Sequence, residues 1–134
     1  MSSSIKDTTE SYAVFDRTEY PNITVTFTGA KATDENFKDY LEGLTRNYDG
    51  NERITIIFDA VKANFPGLKY QQMQGKWLKE NEELMKQECL GIAYVIPSGL
   101  IRNALKLIFS IQGQPVPYKV CENIGEAKSW VKGL

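Results

Sequence analysis

The sequence predicts a single α/β domain on a mixed sheet of about five strands with four helices, in the order β-β-α-β-α-β-α-β-α. Three observations carry this reading. ITIIF (Ile54 to Phe58) and GIAYVI (Gly91 to Ile96) are short, mostly apolar and rich in β-branched residues, the pattern of strands covered on both faces. Each is followed by apolar residues at helical spacing, as the crossovers of a parallel sheet require. ITVTFT (Ile23 to Thr28) alternates instead, with Ile23, Val25 and Phe27 on one face and Thr24, Thr26 and Thr28 on the other. That strand has one less buried face and is expected to pair antiparallel with the strand before it.

The elements follow in order. Met1 to Ser11 is polar and is expected to be a disordered tail, with the domain running over 12–134. Tyr12 to Asp16 (YAVFD) is the first strand, and Glu19 to Asn22 makes the turn to the second, which Gly29 ends. Thr33 is placed to cap a helix, and Asp34 and Glu35 put negative charge where the helix dipole favours it. Phe37, Tyr40, Leu41 and Leu44 form its apolar face, and Asp49-Gly50 stops it. The third strand, Ile54 to Phe58, has Asp59 at its C-terminal end, and Lys62 to Gly67 is loop. A second helix is predicted over Leu68 to Glu88, with Met73, Trp77 and Leu84, and Leu78 with Met85, as its buried stripe. Gly75 inside it costs roughly 1 kcal/mol against alanine, which points to close approach of helix and sheet. Leu90 to Ile96 is the fourth strand, stopped by Pro97. Ser98-Gly99 opens a third helix to about Ile111, and Gln112 to Pro117 is a turn-rich loop. Tyr118 to Cys121 is the last strand. Asn123 with Glu126 caps a final helix whose apolar face is Ala127, Trp130, Val131 and Leu134.

A chain of 134 residues with 42% hydrophobic and 25% charged residues has ordinary globular proportions. A net charge of −1 with scattered basic residues argues against nucleic-acid binding driven by bulk charge. The longest apolar-rich stretch, Gly99 to Ile111, is broken by Arg102, Asn103 and Lys106 and is too short to span a bilayer. No apolar signal-peptide core occurs in Met1 to Glu10. Cys89 and Cys121 belong to no Cys-x-x-Cys unit and read as free core thiols of a cytoplasmic protein.

The hairpin followed by alternating helices and strands resembles the STAS domain, and more specifically the divergent bacterial SpoIIAA-like set, which shares its architecture with the CRAL-TRIO lipid binders. The resemblance covers about Tyr12 to Leu134. It rests on ITIIFDA leading into a long helix with Trp77-Leu78, on GIAYVIPSGLIRNAL, and on a closing strand and helix carrying Ala127, Trp130 and Val131. It implies a SpoIIAA-like fold and a regulatory, protein-binding role in signalling. Antagonists of this family carry a phosphorylatable serine in an Asp-Ser-x-Gly unit after the third strand. Here that stretch reads Asn64-Phe65-Pro66-Gly67-Leu68. Gly67 matches the family glycine, but no Ser or Thr occurs from Ala60 to Lys69, so the phosphoswitch does not carry over. Asp59 matches the acidic residue that ends the third strand.

Ligands of parallel sheets gather at the C-terminal ends of the strands. Asp59 to Gly67 (with Pro66), Pro97 to Asn103, and Cys121 to Gly125 should meet there. Ser98, at a helix start with Arg102 one turn on, is the best small-anion or phosphorylation candidate. Leu100 to Ile111 is apolar over more than half its circumference, more than one stripe against a sheet needs. Either another element covers the excess, or it meets a partner, a second copy or a lipid. Leu107 and Phe109 are the contact candidates, with Pro115 and Pro117 stiffening the loop behind them. With no histidine, no glycine-rich phosphate loop and no ligand cluster, no catalytic set, metal or cofactor is expected. An enzyme would have to use residues such as Asp59 or Cys121 with Arg102 as helper. The leading expectation is a non-catalytic interaction module that binds a protein or itself through Leu100 to Ile111. The alternative is a small-molecule or lipid binder in which that helix roofs an apolar pocket.

Overall fold

A computed structural model describes residues 10–64, 66–97, 99, 102–103 and 115–134. Five strands lie side by side in sequence order. β1 (Ala13–Asp16) and β2 (Asn22–Phe27) form an antiparallel hairpin, with Phe15 opposite Val25. β2, β3 (Ile54–Asp59), β4 (Cys89–Val95) and β5 (Tyr118–Cys121) then run parallel. Four helices are described: α1 (Asp34–Arg46), α2 (Leu68–Glu80), α3 (Glu82–Glu88) and α4 (Ile124–Lys132).

Right-handed crossovers between successive neighbours put successive connections on the same face of a sheet. Period-two alternation then sorts the strand residues between two cores. Ile23, Val25, Ile54, Ile56, Phe58, Ile92, Tyr94 and Ile96 pack beneath α1, α2 and α3. Ile57, Ala93, Val95 and Cys121 meet Ala127, Trp130 and Val131 of α4 on the other face. β3 and β4 are thus covered on both sides, which is why ITIIF and GIAYVI read as unbroken apolar runs. α4 packs on β3, β4 and β5. The back of the hairpin therefore carries Thr24, Thr26, Asp16 and Val14, the last 55% exposed.

The caps follow the expected chemistry. The Thr33 hydroxyl accepts from Asn36 N at 3.1 Å and the Asn36 side chain accepts from Thr33 N at 2.8 Å, a reciprocal box. The Asn123 side chain accepts from Glu126 N at 2.9 Å, while Glu126 reaches back to Glu122 N, one residue before the cap. Gly29 takes a positive φ of 91° after β2, a backbone state few side chains tolerate.

One expectation changes. The helix predicted over Leu68 to Glu88 is two helices, broken at Asn81, whose φ of −110° and ψ of 14° leave the helical region. Its side-chain amide donates to the Trp77 carbonyl at 2.9 Å, and side chain and backbone compete there for the same helical acceptor. The break turns Met85 into the core, where it is 2% exposed. Ser11 O accepts from the Thr28 hydroxyl at 2.6 Å and Glu10 O accepts from the Asn36 side chain at 3.1 Å. The third predicted helix falls almost wholly outside the described residues, of which Gly99, Arg102 and Asn103 are helical.

Candidate functional site

Between the sheet and the α1–α2 layer lies a cavity of about 160 Å³. Its floor is a row of rings across three parallel strands. Phe27 of β2 stacks on Phe58 of β3 (centroids 5.9 Å apart, planes 18° apart), and Phe58 stacks on Tyr94 of β4 (5.4 Å, 9°). Parallel register places Phe58 level with Tyr94, so alternation delivers both rings to the same face. One wall is a second aromatic group. Tyr12, Phe37 and Tyr40 meet pairwise at 5.1 to 5.3 Å. Phe37 and Tyr40 are there because they lie three apart on one face of α1. Trp77, Leu78 and Gly75 of α2 line the cavity from above, and Ile56, Ile92 and Met85 complete its apolar lining. The Trp77 indole N–H donates to the Thr45 hydroxyl at 3.0 Å and fixes α2 against α1.

Asn64, Pro66, Gln71 and Gln74 contribute polar groups where the β3–α2 loop meets the cavity. Gln71 donates to the Pro66 carbonyl at 2.7 Å, and the Asn64 side chain donates to the Gly29 carbonyl. Beside them Asp34 of α1 accepts from Lys69 and from the Tyr70 hydroxyl, each at 2.8 Å. This latch holds the starts of α1 and α2 together and, chiefly through the Lys69 hydrogen bond, keeps the Asp34 carboxyl below its usual range.

Four tyrosines, Tyr12, Tyr40, Tyr48 and Tyr94, also line the cavity. Burial pushes Tyr12 up to about 12. Burial, then Tyr12 and Tyr94, raise Tyr40 well above the ordinary phenol value. Burial, then the neighbouring Cys89 thiol, raise Tyr48 well above it too. The Tyr48 hydroxyl is buried with no hydrogen bond of ordinary geometry among the described residues. Cys89 is itself pushed up to about 11 by burial, which keeps it a protonated thiol.

The sequence-predicted residues separate. Pro66 lines the mouth of the cavity. Gly67 caps α2 with its backbone, its carbonyl accepting from Tyr70 N and Gln71 N. Asp59 lies off the cavity and accepts from Val61 N at 3.2 Å, a local turn bond. Arg102 donates to the Ile96 carbonyl at 3.0 Å and forks onto both oxygens of Glu122, so its donors are taken up by the chain itself. Pro115 is half-buried ahead of β5. Ser98, Leu107 and Phe109 lie outside the described residues, as does nearly all of the apolar segment on which the docking expectation rests. Cys89 and Cys121 are free and buried in different cores, near opposite ends of adjacent strands, so the fold keeps them from pairing. Among the described residues no His, Cys, Asp or Glu groups gather as a metal site, and no helix is long and apolar enough to cross a membrane.

Sequence reasoning placed Tyr40, Trp77 and Leu78 on buried faces but missed that they line a space. Tyr48 and Phe58 also escaped it as site residues. The one signal present was an aromatic content of 11% including seven tyrosines, three of them, Tyr12, Tyr40 and Tyr94, in otherwise apolar strand or helix faces. Compared with family models, curated proteins and solved structures, the chain matches none.

Proposed function

We propose that this chain is a non-catalytic binding domain that takes a small apolar molecule between its sheet and its helices, the STAS- and CRAL-TRIO-like alternative among the expectations from sequence. One observation carries it: a cavity of about 160 Å³ walled by aromatic and aliphatic side chains. Protein interiors pack with few voids larger than a water. An apolar recess of this size gains when an apolar occupant replaces the water in it. The hairpin-first sheet in sequential order, with helices over one face and a closing helix on the other, supports the STAS-like architecture.

The test is native mass spectrometry of the purified chain, with thermal shift against a panel of small apolar compounds. A retained apolar mass or a saturable rise in Tm is expected. Leu78→Phe, which adds volume at the cavity wall, should raise the ligand-free Tm by a few degrees, corresponding to about 1 kcal/mol or more, and abolish the ligand-induced shift. A clean ligand-free mass, with no shift across the panel, would overturn the reading.

A further inference from the structure

The same cavity specifies its occupant more closely, an inference that rests on the binding role proposed for it. Its size, its charge and its unmatched polar atoms each narrow the choice.

Size comes first. A cavity of about 160 Å³ is close to the roughly 150 Å³ engineered cavity known to hold benzene. One substituted ring fits that volume. The lining agrees, because the stacked Phe27, Phe58 and Tyr94 rings and the Tyr12–Phe37–Tyr40 group all line the cavity, and rings favour edge or offset contact with another ring.

Charge comes second. No Asp, Glu, Lys or Arg is among the described residues lining the cavity. A carboxylate or ammonium entering it would be desolvated with no group of opposite charge, and such a group costs far more to bury than a neutral one. The occupant is neutral.

Third, the walls are not wholly satisfied. Tyr40 is 5% exposed, lines the cavity, and has no hydrogen bond to its hydroxyl among the described residues. The Tyr48 hydroxyl is buried beside the Cys89 thiol, with no hydrogen bond of ordinary geometry. A polar group left unmatched in an apolar wall costs about 1–3 kcal/mol, and an occupant that reaches the Tyr40 hydroxyl would match it. Tyr40, Tyr48 and Tyr94 all line the same cavity.

We propose that the cavity binds a small neutral aromatic molecule with one hydroxyl or carbonyl group, whose polar atom hydrogen-bonds the Tyr40 hydroxyl with Tyr48 beside it. The apolar end of that molecule lies toward Ile56, Ile92 and Leu78. A phenol qualifies because it can both donate and accept.

Three probes of nearly one shape separate the terms: toluene, p-cresol and 4-methylbenzoate, titrated at pH 7 by calorimetry. p-Cresol is expected to bind about tenfold more tightly than toluene, as one net hydrogen bond allows, and 4-methylbenzoate not measurably. Tyr40→Phe should bring p-cresol within about twofold of toluene while leaving toluene affinity within about twofold of wild type. Its Tm should be unchanged or higher, since it deletes an unmatched polar atom. Tyr48→Phe is the second variant, expected to weaken p-cresol by a smaller factor. In the unmodified protein, the Tyr40 ring resonances should shift on adding p-cresol, which needs no variant to fold. Equal binding of toluene and p-cresol by the wild type overturns the polar contact and leaves the apolar cavity standing. 4-Methylbenzoate binding more tightly than p-cresol overturns neutrality. Failure of toluene and p-cresol alike removes the binding reading itself, and this inference with it.

Discussion

Gly43 shows how closely α1 sits on the hairpin. A Cβ built there would lie 2.5 Å from two carbons of the Phe15 ring, far inside contact distance. The ring cannot simply swing away. Arg17 lies over it at 4.9 Å, and the same guanidinium donates to the Gly43 carbonyl at 2.8 Å and to the Asn47 side chain at 3.0 Å. Gly43→Ala would normally stabilise a helix by up to about 1 kcal/mol. Here the clash dominates, and a net destabilisation of about 1–3 kcal/mol is expected from overpacking, read as a lower urea midpoint at unchanged slope. The sequence held the glycine but not its reason, because helix spacing places residues on faces and says nothing of what presses against them. The reverse holds for Thr33 and Asn123. Their capping bonds span three residues, so local sequence sufficed to find them.

Among the elements, α3 depends most on its surroundings. It is seven residues long, too short to persist on propensity alone. Its Lys86 pairs with Glu82 and Glu83 only at 3.7–3.8 Å on the surface, and such exposed pairs contribute little. Met85 is its one buried residue. Met85→Ala should therefore cost about 2–5 kcal/mol and strip amide-exchange protection from Glu82–Glu88 before the rest of the molecule. Equal loss of protection across β3 and β4 at the same denaturant would show that α3 is not an independent unit. The break before it was illegible in sequence. Trp77 to Leu84 and Leu78 to Met85 are both seven apart, a spacing that one continuous helix also satisfies. The hydrogen bond from Asn81 to the Trp77 carbonyl interrupts the helix without disturbing that pattern. The strands were easier, since alternation in ITVTFT and its absence in ITIIF and GIAYVI follow directly from one or two covered faces.

At the scale of the whole molecule, the α/β class was legible and the cavity was not. A ring on a buried face leaves the same mark in the sequence whether its far side meets another side chain or a void. The difference depends on the separation of α2 from the sheet, which distant residues set. Tyr12, Tyr40 and Tyr48 also govern how the fold answers pH. The chain has no histidine, so no side chain with an ordinary value near neutrality is present, and stability should be flat from about pH 5.5 to 8. Below that range the exposed carboxyls of Asp34 and Glu122 matter. Hydrogen bonds from Lys69 and Arg102 respectively hold them below their usual range. Their contribution is present above their unfolded values near pH 4 and is lost as pH falls through the lower folded ones, a shallow limb because both are exposed. The alkaline limb has the opposite sign and a greater depth. Above about pH 10 the unfolded chain ionises its tyrosines, while the folded chain keeps Tyr40 and Tyr48 protonated, and Tyr12 until about 12. The folded state then holds more protons than the unfolded one, so stability falls as pH rises. Melting curves from pH 3 to 11 should show a plateau, a gentle acid decline and a steep drop above pH 10. Absorbance titration at about 295 nm should find these three of the seven tyrosines silent until the fold is lost. Early, reversible ionisation of all seven in a still-folded chain would mean that solvent already reaches the phenols around the cavity, and the apolar site would lose its dry walls.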